Sequence, residues 1–144
     1  MRLWRALLSA LVVTLPAATN AAAASGDTVR DALLRGEFDA AAQASSAADG
    51  PAAGGGEADY YRGLALFALR DYPAAVASLV GVAERNGERP IGLRAAVVAT
   101  VALSRNGDRD NACRYAGIVL PLTDTMAPIW RAWVEEAQRS SGCE

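Results

Sequence analysis

The sequence predicts an all-α protein assembled from helical hairpins, and three observations carry that prediction. Alanine makes up about a quarter of the 144 residues, and it is the best helix former. Aromatic residues reach only 6%, which disfavours a sheet sandwich or barrel and suits helices that approach closely through small side chains. The third observation is the stretch from Ala58 to Asn86. Its apolar run from Tyr60 to Leu69 breaks at Arg70-Asp71-Tyr72-Pro73 and resumes over Ala74 to Ala83. A chain of this length is expected to form one domain, large enough to bury its own core.

Taken in order, the chain opens with a basic segment, Met1-Arg2-Leu3-Trp4-Arg5, and an apolar run from Ala6 to Leu15. Pro16 ends that run, and Ala21-Ala22-Ala23-Ala24 offers the small residues a signal peptidase accepts. The run is too short to span a bilayer, and no Cys follows it to carry a lipid. Residues 1–24 therefore read as a signal peptide cleaved near Ala24. The remainder, 25–144, reads as a helical domain exported to a bacterial periplasm or beyond.

Thr28 and Asp31 have the spacing of a capping box, and Val29, Ala32 and Leu33 recur behind Thr28 at helical intervals. Arg35 to Asp39 is a break, and Ala40 to Ala48 forms a second, short helix. Asp49 to Gly56 reads as a surface loop. With no strand before it and no Lys after it, it is not a phosphate-cradling loop. In the central hairpin Asp71 is the expected cap. Pro73 stands in a first turn, where its missing N–H has no partner to lose. Tyr72 fills the space under the turn, and Gly87 closes the second helix in the left-handed conformation. Gly63 and Ala75 are the small residues expected where the two helices cross.

A third pair follows. Ile91 to Arg105 is a long helix after Pro90, and Arg109 to Leu120 is its partner, capped by Asp108 and stopped by Pro121. The last helix, about Met126 to Arg139, has Asp124 or Thr125 as its expected cap. It carries Met126, Ile129, Trp130, Trp133, Val134 and Ala137 on one side, with Arg131, Glu135, Gln138 and Arg139 on the other. The apolar side is expected to cover the third pair, with both Trp130 and Trp133 in the core.

Glu37-Phe38-Asp39-Ala40-Ala41 matches Asp71-Tyr72-Pro73-Ala74-Ala75 at a period of 34. With Gly63, Tyr72 and Ala75 at their positions, the chain resembles the tetratricopeptide repeat family. The third pair departs from the pattern. Arg109 stands where Phe38 and Tyr72 stand, and Ala112 follows Ala75 by 37 positions, which assigns three added residues to the connecting loop. The resemblance implies a right-handed α-solenoid of three hairpins with a closing helix. It also implies a scaffold that receives a protein or peptide on the concave face lined by the first helix of each pair. It places Tyr60, Leu64 and Phe67 on that face from the second hairpin, Val97, Val101 and Arg105 from the third, and Arg30 from the first. Burial in the core is the competing reading. It is expected for Phe67 and not for Tyr60, with Tyr61 open to either. Some family members clamp a peptide's terminal carboxylate with Lys and Asn. Tyr60 and Leu64 occupy those places, so that mode does not carry over. A second reading makes the chain an envelope subunit that dimerises through its Trp-bearing last helix. A third is a small helical enzyme or ligand carrier.

The chain has 0 His, so it lacks the usual general base near neutral pH and the commonest metal ligand. Two Cys alone do not build a structural zinc site. Asp108 and Asp110 sit at a helix start, where the dipole favours acidic groups. Asn106 to Asn111 lacks the oxygen ligands of a calcium loop, and no Gly-x-Ser-x-Gly elbow is present. Enzyme activity, a cofactor and a metal are not expected. A formal net charge of −2 gives no reason to propose nucleic acid, and the mature chain is expected to insert in no membrane, with a monomer favoured over an oligomer.

Cys113 and Cys143 are an even pair in a chain read as exported, which favours a disulfide. The last helix must run back antiparallel to its predecessor, because the connection from Pro121 to Thr125 is short. Its far end then returns toward Arg109 to Cys113, and Ser140-Ser141-Gly142 supplies slack for Cys143. A free thiol and an intermolecular bridge are the alternatives.

Overall fold

The computed structural model describes residues 25–44 and 56–143. The segment read as a signal peptide and residues 45–55, with the expected end of the second helix and most of the glycine loop, lie outside them. The described residues contain helices and no strand. In order these are α1 (Gly26–Leu34), α2 (Phe38–Gln43), α3 (Glu57–Ala68), α4 (Tyr72–Asn86), α5 (Pro90–Arg105), α6 (Arg109–Val119) and α7 (Pro128–Ser141). A short 3-10 helix, Leu120–Thr125, holds Pro121 and joins α6 to α7.

Three turns, α1–α2, α3–α4 and α5–α6, are built alike. In each, the first three residues past the helix donate their N–H groups back to the last turn. Arg35, Gly36 and Glu37 reach Asp31, Leu33 and Ala32; Leu69, Arg70 and Asp71 reach Ala65, Phe67 and Leu66; Asn106, Gly107 and Asp108 reach Ala102, Ser104 and Leu103. This closure needs one left-handed residue. Gly36 (φ 77°), Arg70 (φ 63°) and Gly107 (φ 77°) supply it. The following helix then starts on a cap. Asp71 accepts from the Ala74 N–H and Asp108 from the Asn111 N–H, both at 3.3 Å. Glu37 makes no such bond. Asp71 and Asp108 thus serve as expected. At α1 the cap is Ser25, whose Oγ accepts from the Thr28 N–H, and not Thr28 itself.

Burial repeats in step with the turns. Gly26, Val29 and Ala32 are buried on α1, as are Tyr60, Gly63 and Leu66 on α3 and Val97, Thr100 and Leu103 on α5. Arg30, Leu64 and Val101 form a half-buried row beside them, and Leu33, Phe67 and Ser104 a second. The small residue after each cap, Ala41, Ala75 and Ala112, is fully buried. Leu79 of α4 fills the space that Gly63 leaves: a Cβ at Gly63 would lie 2.7 Å from Leu79 Cδ2.

The hub of the molecule is α5 rather than the central hairpin. Ten of its 16 residues are buried, and α3, α4, α6 and α7 all pack on it. Thr100, deep inside it, satisfies its hydroxyl on the Ala96 carbonyl at 2.8 Å. The three residues added before the third hairpin lie in this helix and not in a loop. The connection is only Gly87 to Arg89, and α5 has 16 residues where α3 has 12. Gly92 in the added turn lies against the Gly87 carbonyl and Asn86, leaving no room for a side chain. Gly87 itself has φ 54° and ψ −130°. The positive φ is the one expected, but the ψ lies outside the left-handed helical region.

The last helix starts at Pro128 behind Ala127, without a side-chain cap. Asp124 pairs with Arg131 instead, and Thr125 bonds the Leu122 carbonyl. Only half of the apolar stripe of α7 is buried. Val134, Ala137 and Ser141 face α5 and α6 with Trp130 half-covered, whereas Ile129 is 55% and Trp133 45% exposed. The stripe spans roughly 140° at helical spacing, wider than the seam that one helix presents to two neighbours. Trp133 is therefore not the core residue its position in the stripe implies.

A disulfide joins Cys113 and Cys143, with Cα atoms 5.4 Å apart. Cys143 is not on a slack tail. Gly142 adopts φ 68°, and the Gly142 and Cys143 N–H groups close the end of α7 on the Arg139 and Gln138 carbonyls. This is the same closure used at the three turns. Arg109, the departure from the aromatic at Phe38 and Tyr72, donates its Nε–H to the Ser141 carbonyl at 2.8 Å. Where the second hairpin packs a ring against a ring, Tyr72 on Phe67 at 5.5 Å, the third holds the end of α7.

Candidate interaction groove

The half-buried rows of α3 and α5 meet the exposed half of the α7 stripe along a groove. Phe67 stands on the α3 side, and Val101, Ser104 and Arg105 of α5 form its base. Trp133, Glu136, Ala137 and Ser140 of α7 form the far side, around a cavity of about 230 Å³. Two hydrogen bonds of Ser104 tether its α5 and α7 sides. Ser104 Oγ bonds the Ala137 carbonyl at 3.3 Å, and the hydroxyl of Ser141 donates to Ser104 Oγ at 3.0 Å. Together they hold α7 against α5 just below the cavity. Trp133 is steadied edge-on by Trp130, with ring centres 5.4 Å apart.

A second, shallower depression continues from the first across Phe67. Ala68, Arg70, Tyr72 and Arg105 complete it. The side chains of Arg70 and Arg105 form no ion pair or hydrogen bond with any described residue. On the α7 side Glu136 accepts from Arg139 Nη2 at 2.8 Å and from Ser140 Oγ at 3.2 Å. The Arg139 hydrogen bond, then that of Ser140, holds its carboxyl below the usual carboxylate range, with Arg105 adding in the same direction.

Of the six residues expected to face a partner, Phe67, Val101 and Arg105 come together in this groove. Leu64 lies half-buried in the adjoining row, packed against the main core. Tyr60 and Val97 are corrections. Tyr60 is 7% exposed and Val97 fully buried, because both occupy the inner seam position that Gly26 holds on α1. Burial raises the Tyr60 phenol above its ordinary range, and Tyr61 packs on its edge at 5.4 Å. The expected order of exposure is thereby reversed: Phe67 reaches the open face and Tyr60 does not. Arg30 is engaged with Asp27 and Asp31 at 3.1 and 3.4 Å. Trp133, Glu136 and Ser140 were outside the expected face altogether. The width of the α7 stripe was the available sign of Trp133.

No group of three acidic or sulfur side chains among the described residues is placed to hold a metal ion. What it offers is apolar surface bordered by guanidinium groups. No protein-family model, curated protein or solved structure matches this chain significantly.

Proposed function

We propose that this protein is a non-catalytic adaptor of the bacterial envelope that holds a segment of another protein in the groove between α3, α5 and α7. The observation that carries this reading is the groove itself, an open, mainly apolar cavity with Val101 at its base, between Phe67 on one side and a half-exposed Trp133 on the other. Large aromatic residues at such positions are the usual anchors of interfaces. The three identical turns and the repeated burial pattern support a tetratricopeptide-like, right-handed solenoid of three hairpins with α7 as its closing helix. Export as a periplasmic or secreted chain is supported by the Cys113–Cys143 disulfide, a bond characteristic of oxidising compartments. None of the described helices is long and apolar enough to cross a membrane.

The competing role, a structural subunit that dimerises through α7, draws on the same exposed Ile129 and Trp133. One experiment separates the two. A photoreactive benzoylphenylalanine in place of Trp133 is expressed in the envelope and cross-linked in living cells. The adaptor role is expected to give an adduct with a different protein, lost on Val101→Glu. A covalent dimer of this chain alone, matched by a dimer mass in light scattering, would establish the structural role instead.

A further inference from the structure

We infer that Arg70 and Arg105 set the specificity of the groove, and that its occupant is an internal segment of a partner protein bearing an acidic side chain beside a large apolar one. This rests on the groove being a docking face. The first observation is charge without a counterpart. Arg30, Arg35, Arg85, Arg131 and Arg139 are all ion-paired; Arg94 and Arg114 are not, but they stand apart from the depression beside Phe67, which the two unpaired guanidinium groups of Arg70 and Arg105 share. Two adjacent free guanidinium groups match a carboxylate, which accepts paired N–H bonds from them.

The second observation is backbone geometry. Arg70 is the only non-glycine residue with positive φ among the described residues, at a position where the sister turns use Gly36 and Gly107. A side chain with a Cβ is disfavoured there, and the Arg70 guanidinium gains no hydrogen bond to any described residue in return. Strain of this kind concentrates at functional contacts. The third observation is size. A cavity of about 150 Å³ accommodates a benzene ring, so about 230 Å³ takes one large apolar side chain next to the arginines. Polar groups lie on both sides of that apolar space, Arg105 at its base and Arg70 in the depression beyond Phe67, and Glu136 with Ser140 on α7. A segment that crosses the groove meets them in turn, and the carboxylate is then a side chain rather than a chain terminus.

The test uses the exported, oxidised protein and a set of N-acetylated, C-amidated hexapeptides. Each carries one Leu, Phe or Trp, with Asp, Asn or Lys at the neighbouring positions, and binding is read by fluorescence polarisation. Peptides with Asp beside the apolar residue are expected to bind about five- to tenfold more tightly than their Asn counterparts. Arg70→Gly and Arg105→Gln should erase the difference between Asp and Asn peptides, and Arg70→Gly should also melt at a higher temperature. Equal binding of Asp and Asn peptides, both lost on Trp133→Ala, would overturn the acidic partner and leave the groove reading intact. Binding that requires a free carboxyl terminus would overturn the internal segment. An array in which no peptide binds, or in which binding ignores Trp133→Ala, would overturn the groove reading and this inference with it.

Discussion

The two ends of the molecule are made from the same hairpin but held together differently. At the N-terminal end α2 has only six residues and no side-chain cap. The buried contribution of α1 and α2 is Gly26, Val29, Ala32, Ala41 and Ala42. At the C-terminal end Val97, Thr100, Leu103, Val119 and Val134 are buried around α5, and a disulfide ties α7 to α6. Each hairpin in such an array gains stability mainly from its neighbours, so cooperative openings begin where contacts are small and few. Among the described residues the α1–α2 end buries the smaller side chains and the groove lies toward the other end, so the expectation is a graded molecule, loosest at α1–α2.

The largest expected effect comes from weakening the C-terminal end. Cys113→Ser with Cys143→Ser releases a loop of separation 30 and should cost roughly 3–4 kcal/mol in urea unfolding by the chain-entropy estimate. Hydrogen exchange of α7 should then approach that of α1. Protection in α7 that stays above α1 after reduction would show that packing alone creates the gradient. The next effect compares one substitution along the stack. Ala75→Leu overpacks a fully buried position between α3 and α4 and should cost about 1–3 kcal/mol. Ala41→Leu, also at 0% exposure, should cost less, because a six-residue helix can shift to make room. Equal losses would remove the gradient from this half of the protein.

A smaller change, of opposite sign, is expected at the second turn. Arg70→Gly should stabilise by about 0.5–1 kcal/mol, the relief of a left-handed Arg less the freedom that glycine adds to the unfolded chain. The same exchange in reverse, Gly107→Arg, should destabilise the third turn by a similar amount. The smallest effect is electrostatic. Glu136 has a depressed pKa in the folded state, first through its Arg139 hydrogen bond. Its contribution is therefore present above the ordinary carboxylate pKa of 4.5 and fades as the pH falls through the lower folded value. Glu136→Gln should flatten the melting-temperature profile slightly below that pH and leave its shape unchanged near neutrality. A profile that changes at pH 7 would assign Glu136 another role.

Much of the backbone was legible because its signals are local. Asp71 and Asp108 announce their caps, Pro73 and Pro90 their first turns, and the pentads at Phe38 and Tyr72 their common hairpin. The cysteine pairing was legible too, since a short connection after α6 forces α7 to run back along it. What a local pattern does not carry is which hairpin lies over which residue. Tyr60 and Leu64 belong to one apolar run, yet the neighbouring helices cover the first and leave the second half-open. Val97 looks equivalent to Val101 in the same way, and only packing of α6 and α7 on α5 separates them. Trp133 fails for the converse reason: the stripe on α7 is wider than the seam it meets. The extra turn of α5 has no local signal, because Pro90 marks a helix start without saying how far the register has moved.

The backbone closure that ends α1, α3 and α5 occurs a fourth time at Gly142, and there alone it is followed by a half-cystine. At the first three sites the closure passes the chain onward into another helix. At the fourth the residue that would lead onward is bonded back to Cys113. The Cys113–Cys143 bond therefore acts as a covalent clasp: α7 covers the α5–α6 surface, and the bond keeps that cover closed where packing alone would let it lift.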